Sequence, residues 1–352
     1  MGIERTKLNE EKIKNILKRE YGMTVSSIEK IERGTSNLFK INANNKNYIL
    51  KEFISKRKKE TIFKEIDIIN FLKQKNINVP KYVKTSQGDY YTQNEGRIII
   101  VQEYIDGYTI ENNSGEYKQV IECANILGKL IKAFMDYPEL SDENIIEEYF
   151  SKKRINTGIE KMRELKNKIK EDNIYKEQII KDLNYRIKML NEIKNNFDFD
   201  IINKMTLLNC HGDFCSQQLI YQGESEPVII DFEKAKKMPV AWEVIRSYCY
   251  IDKNVKNGDI DINLLTQYFR EFMKYIKLNE YDLKYVSYIY LLQLASSTFG
   301  YKEYIEDYSQ KELIEFAFFR TKLCKNLYER RDKISMELEE SILKMQHRFS
   351  RK

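Results

Sequence analysis

The sequence predicts an α+β protein of two lobes, a small antiparallel sheet with one main helix and then a mostly helical region. Three observations predict it. β-prone runs separated by turn chemistry fill residues 25–104, and helical spacing of apolar residues dominates after Gly107. One further pair of β-prone runs, Leu219–Tyr221 and Val228–Ile230, interrupts the helical part and carries acids near its ends.

Taken in order, Leu8, Ile13, Ile16 and Leu17 recur at helical intervals between Leu8 and Glu20. Val25–Ile31, Leu38–Ile41 and Tyr48–Phe53 read as strands, separated by Glu32–Asn37 and by the Asn-rich turn Asn42–Asn47. The stripe Ile62, Ile66, Ile69 and Leu72 predicts a helix from about Lys58 to Gln74. Tyr82–Thr85 and Arg97–Tyr104 add two strands around polar Ser86–Gly96. Beyond Gly107, Tyr117–Phe134 is a helix, and the Lys- and Glu-rich stretch from Ser141 to about Phe197 reads as two antiparallel helices. Thr206–Asn209 is a brief strand, and the runs flanking 222–227 form a hairpin. Pro239–Arg246 opens a helix, and Asn263–Ile276, Leu283–Ser297 and Lys311 to about Gln346 continue the helical pattern.

Bulk properties exclude several classes. A chain of 352 residues with 42% hydrophobic and 32% charged residues is long enough for two cores. No apolar run approaches the roughly 18 residues of a membrane span, and Met1–Lys7 has no apolar signal region. A net charge of +6, spread among acids, shows no basic stripe of the kind nucleic-acid readers carry. Five scattered cysteines, without a CxxC pair and with only two histidines in the chain, fit reduced thiols rather than a metal or disulfide framework. The expectation is a cytoplasmic protein with no membrane or nucleic-acid partner.

The chemistry concentrates in Cys210-His211-Gly212-Asp213-Phe214-Cys215-Ser216-Gln217-Gln218, closed by Ile229-Ile230-Asp231-Phe232-Glu233. An antiparallel hairpin brings its outer ends together, so Gln218 and Asp231 are expected side by side, with Asp213 in the loop that feeds the first strand. Phosphoryl transfer uses such a set: a carboxylate to orient a hydroxyl and take its proton, and oxygen ligands for Mg²⁺. A hairpin whose acidic end only caps backbone is the plainer alternative.

The Asp213, Gln218, Asp231 spacing resembles a kinase catalytic loop and metal aspartate. His-Gly-Asp followed by Ile-Asp-x-Glu resembles the aminoglycoside phosphotransferase and choline kinase family. That resemblance implies a bilobal protein-kinase-like fold, with residues 1–105 the nucleotide-binding lobe and 106–352 the lobe of the catalytic loop and acceptor. It implies Asp213 as the base, Gln218, Asp231 and Glu233 as metal ligands, and Lys51 at the phosphates, held by Glu65 with Glu60 as the fallback. It places Gly34, Thr35 and Ser36 over the phosphates, and the main chain of Glu103 to Ile105 against the purine. His211 would brace the loop, and Glu243 falls near an aspartate that hydrogen-bonds it. The cofactors implied are Mg²⁺ and ATP or GTP as donor; the partner is a small hydroxyl acceptor such as an aminoglycoside or choline.

The sequence departs from the family at Gln218, where asparagine is usual, and the loop at Gly34 is poor in glycine. These departures motivate a rival, a kinase-fold binding or structural protein like the spore-coat proteins that resemble the family. A protein kinase is disfavoured, because Asp231 to Trp242 leaves no long activation loop and no Ala-Pro-Glu follows. Glu139, Asp142, Glu143, Glu147 and Glu148 read as helix-start acids in preference to an acidic wall for a cationic acceptor.

Overall fold

A computed structural model describes residues 6–31, 36–140 and 144–349. In chain order it contains α1 (Glu10–Tyr21), β1 (Val25–Ile31), β2 (Asn37–Ala43), β3 (Lys46–Glu52), α2 (Lys59–Gln74), β4 (Thr92–Asn94), β5 (Arg97–Glu103) and β6 (Tyr108–Thr109). Then come α3 (Tyr117–Phe134), α4 (Ile145–Phe150), α5 (Lys152–Lys168), α6 (Lys176–Asn196), β7 (Leu207–Cys210), β8 (Leu219–Gln222), β9 (Ser225–Ile229) and β10 (Lys236–Pro239). Helices α7 (Val240–Ile251), α8 (Ile262–Phe272), α9 (Glu280–Lys284), α10 (Val286–Ser296), α11 (Tyr301–Glu306) and α12 (Lys311–Phe349) complete the order.

Two compact units result, and they do not follow one cut in the chain. The first joins Met1–Thr109 with Gln218–Lys234; the second joins Ile110–Gln217 with Ala235–Lys352. In the first, a five-stranded antiparallel sheet has the order β1-β2-β3-β5-β4. The β2–β3 turn is tight because Asn44 and Asn45 both take left-handed φ, +51° and +59°, a conformation asparagine tolerates better than most residues. Helix α1, capped by the Asn9 side chain and stopped at left-handed Gly22, buries Ile13, Ile16 and Leu17 with Phe39, Ile41, Leu50, Ile99 and Val101.

One expected strand is corrected. Among the described residues, Tyr82–Thr85 meets β5 through no more than a bridge from Tyr82 to Gln102 and a bond from the Val83 N–H to Val101 O; the strand beside β5 is Thr92–Asn94. Glu95 and Gly96, at φ +50° and +80°, close a two-residue hairpin that fixes this pairing.

The hairpin β8–β9 joins the first unit through named bonds. Tyr108 pairs with Tyr221, the Ile229 N–H donates to Asn78 O at 2.9 Å, and Asn78 Nδ2 donates to Glu226 O at 2.6 Å. Gln222 pairs with Ser225, so the turn is shorter than the expected 222–227. A bulge between Ile220 and Gln222 lies across from the stretch containing Pro227, which has no N–H for the ladder.

The second unit is helical apart from β7 and β10, which pair with each other. Its core draws on Leu127, Ile131, Val244, Tyr248, Leu265, Phe269, Tyr290 and Leu294, all essentially buried. The segment expected as two helices before Phe197 contains three, since α4 precedes α5 and α6, and the segment 283–297 breaks at Tyr285. Among the described residues no helix is long and apolar enough to cross a membrane.

Candidate active site

Lys51 lies on β3, bonded between β2 and β5, and Glu65 lies on the buried face of α2. Their side chains meet, Lys51 Nζ to Glu65 Oε1 at 3.6 Å, while Glu60 is exposed in the first turn of the same helix. Burial pushes the Glu65 carboxyl up, and the Lys51 charge opposes this; Asp231 and Glu233 push in the same direction as burial. That electrostatic reach puts Asp231 and Glu233 in the neighbourhood of the Lys51–Glu65 pair. The buried Tyr82 hydroxyl bonds the Glu65 side chain, and burial together with the Glu65 and Asp231 charges holds the phenol well above its ordinary range.

Asp231 follows the last bonded residue of the hairpin. The Ile230 N–H donates to Gln218 O at 3.0 Å, so the two strands close at 218 and 230, and Asp231, the expected partner of Gln218, stands one residue beyond that closure. Asp231 takes φ +67°, a left-handed conformation that costs a non-glycine residue about 1–2 kcal/mol. Glu233 lies in the turn Phe232–Lys234, which packs on α2, and ion-pairs with Arg57 from the β3–α2 connection.

At the end of β5 the Glu103 N–H donates to Lys81 O at 2.9 Å and the Tyr104 N–H to Asn47 O at 3.1 Å. Ile105, next in the chain, is half-buried just past the strand. Ser36 is buried at the start of β2, beside Asn37, whose side chain donates to buried Glu52 at 2.9 Å; Arg97 meets the same carboxylate at 3.2 Å. Gly34 and Thr35 lie outside the described residues.

In the second unit, Asp213 sits in the loop after β7. Gly212 takes φ +80°, and the Glu243 carboxylate accepts both the His211 N–H at 2.8 Å and the Gly212 N–H at 2.6 Å. Glu243 is fully buried on α7, and burial pushes its carboxyl up against the pull of His211 and these two bonds. His211 is buried too, edge-on to Phe214 at 5.8 Å. Arg246, one turn along α7, ion-pairs with Asp213 and donates to Phe214 O at 3.0 Å. Burial is the largest single influence and works against the Arg246 charge, but Asp213 together with Cys215, Tyr250 and Tyr290 outweighs it and raises the guanidinium above its ordinary value. Stacking supports the same cation, with the Tyr250 ring 4.9 Å away.

Several residues were invisible in the sequence. Arg57 is one of four consecutive basic residues, Lys56 to Lys59, Tyr82 lies in a presumed strand, and Arg246 reads as an ordinary helix residue; only tertiary placement singles them out. Cys210 and Cys215 are buried, and burial pushes the Cys210 thiol well up, which suits packing and not nucleophilic chemistry. Glu139 pairs with Lys237 at 2.7 Å and Glu147 with Lys153 at 2.8 Å, so these acids are neutralised; Asp142 and Glu143 lie outside the described residues.

Among the described residues no three of His, Cys, Asp or Glu converge to hold an ion. Mg²⁺ needs no such cage: it is commonly held by one or two carboxylates plus substrate phosphates. Asp231 and Glu233, with the Gln218 amide, fit that donor chemistry.

The sequence model of the phosphotransferase enzyme family matches residues 27–272. No curated protein matches. Among solved structures, a spectinomycin phosphotransferase in complex with ADP and spectinomycin is 15% identical, with a TM-score of 0.62, covering 95% of this chain and 99% of that one. An aminoglycoside phosphotransferase from Alicyclobacillus acidocaldarius is 17% identical, TM-score 0.64, over 88% and 92% of the two chains. A choline kinase from Cryptosporidium parvum is 18% identical, TM-score 0.53, over 89% and 90%. At such identities the likeness shows the kinase-like fold, and the family match covers well over half the sequence. The chain belongs to the phosphotransferase enzyme family.

Proposed function

We propose that the protein is a small-molecule kinase that moves the γ-phosphoryl group of ATP or GTP, with Mg²⁺, to a hydroxyl of a small acceptor. The observation that carries this reading is the charge cluster of the first unit: Lys51 paired with Glu65, within electrostatic reach of Asp231 held at φ +67°. Lys51 contacts the nucleotide phosphates, and Glu65, anchored by Tyr82, aims it. Gly34, Thr35 and Ser36 cover the phosphates, and the main chain of Glu103 and Ile105 receives the purine. Asp231, Gln218 and Glu233 hold the metal, which when bound neutralises charge on the phosphates. Residues 1–105 thus serve the nucleotide and residues 106–352 the acceptor, with the 218–233 hairpin lending its ligands to the nucleotide.

Asp213 orients the acceptor hydroxyl and takes its proton as the hydroxyl oxygen bonds to the γ-phosphorus and the bond to the β,γ-bridging oxygen breaks, releasing the nucleoside diphosphate. Arg246 fixes the Asp213 carboxylate, which suits a loose transition state that needs orientation more than a strong base. The neighbours' acceptors, spectinomycin and choline among them, mark hydroxyl-bearing small molecules as the class to search.

A second reading, a non-catalytic kinase-fold binding protein, draws support from Asp213 and Glu233, which both already sit in ion pairs with arginines. Nucleotide titration tests the shared premise. Wild type should bind Mg·ADP, and Asp231→Asn should weaken it at least tenfold while leaving the melting temperature of the unliganded protein within a few degrees. Failure of the wild type to bind Mg·ADP or Mg·GDP contradicts the kinase reading.

A further inference from the structure

Arg57 stands apart from its neighbours. In the basic run Lys56-Arg57-Lys58-Lys59 the three lysines are exposed, while Arg57 turns inward: its side chain is 17% exposed and that of its partner Glu233 is 22%. It does so within a short turn, its N–H donating to Ile54 O at 3.0 Å. Its guanidinium carbon lies 5.9 Å from the Phe53 ring, the same ring that Lys51 Nζ approaches at 4.7 Å. Arg57 Nε is buried and makes no hydrogen bond among the described residues. Arg57 also acts on Glu65, so it shares one electrostatic neighbourhood with Lys51, Asp231 and Glu233.

Two cations and three carboxylates therefore share this neighbourhood. A divalent cation approaching Glu233 must displace a guanidinium that already neutralises it. A displaced guanidinium needs an anion, and its planar fork of N–H donors suits phosphate. We propose that Arg57 competes with the divalent cation for Glu233 and passes to the nucleotide phosphates when cation and nucleotide bind together. Arg57 is thus a positioning residue that makes metal binding depend on nucleotide. This inference rests on the kinase reading above and deepens it.

The test uses Mn²⁺ as the probe, followed by electron paramagnetic resonance with and without ADP. Wild type should bind Mn²⁺ alone weakly and Mn·ADP well. Arg57→Gln should bind Mn²⁺ alone about fivefold more tightly, the size expected on removing one partly exposed competing charge, and metal-free ADP several-fold more weakly. Arg57→Lys keeps the charge and should restore most of the wild-type behaviour, which separates the effect from misfolding. In an Glu233→Gln background, Arg57→Gln should no longer tighten Mn²⁺ binding. Equal Mn²⁺ affinity in wild type and Arg57→Gln, including no binding by either, overturns the proposal if Mn·ADP still binds. Loss of Mn·ADP binding in the wild type instead overturns the kinase reading beneath it.

Discussion

Glu243 shows how a single buried side chain can set the course of a loop. Its carboxylate takes the N–H groups of His211 and Gly212, two donors that would otherwise be buried without acceptors, just before Asp213. Burial raises its folded value above the ordinary carboxyl value of 4.5, so its contribution to stability is complete below that value and is lost as pH rises through the folded value. Glutamine does not titrate. The stability of wild type minus that of Glu243→Gln, measured by urea denaturation, should therefore fall as pH rises above about 4.5; a difference that stays constant or grows contradicts this account. Lys51, Glu65, Asp213 and Asp231 could be nominated from the sequence because their segments resemble those of a known family, and of these nominations the Lys51–Glu65 pairing is the one the structure shows. Arg57, Tyr82 and Arg246 could not be, because their partners are distant in sequence or sit in unremarkable stretches. The Asp213–Arg246 pair spans thirty-three residues and follows from where α7 starts, which no motif records.

At the level of elements, the hairpin β8–β9 matters most, since Gln218 and Asp231 flank it. Its existence was readable from two apolar runs around turn formers, but its register was not: Gln218 closes on Ile230 instead of Asp231, and the turn is shorter than the runs suggest, because the bulge opposite Pro227 shifts the pairing. The strand at Thr92–Asn94 was missed for a related reason: the turn Glu95-Gly96 requires left-handed φ from a glutamate, which propensity does not suggest. Gly107 is the element-level test. A Cβ there would lie 2.4 Å from Tyr221 O and 2.8 Å from Ile220 Cγ2, so Gly107→Ala must push β8 away from β6. Overpacking of this kind costs about 1–3 kcal/mol. Gly223→Ala, in open space at φ +58°, should cost only about 1 kcal/mol. Urea denaturation of both variants checks the ranking, and a Gly107→Ala protein as stable as wild type contradicts the packing described for β6 and β8.

For the whole molecule, the proposed division of labour follows the chain's return. Gln218–Lys234 leaves the helical unit to pack with the sheet, carrying Gln218, Asp231 and Glu233 to the unit that holds Lys51 and Glu65. Asp213 stays in the helical unit, five positions from Gln218 in the chain. The two-part architecture was visible in the sequence as a change from period-two to helical spacing near Gly107; the return of the hairpin was not, since it rests on bonds such as Ile229 to Asn78. The acceptor was not legible either, because helical pockets are built from scattered side chains. In the proposed reaction Asp213 takes the proton of the acceptor hydroxyl. The most direct test of this role is the transfer of labelled γ-phosphate from Mg·ATP and Mg·GTP to pooled aminoglycosides, amino alcohols, choline and sugars, comparing wild type with Asp213→Ala. Wild type should give a phosphorylated product and the variant a rate lower by about 10²–10⁴-fold, the usual weight of a general base. Transfer that proceeds equally well in the variant would contradict it.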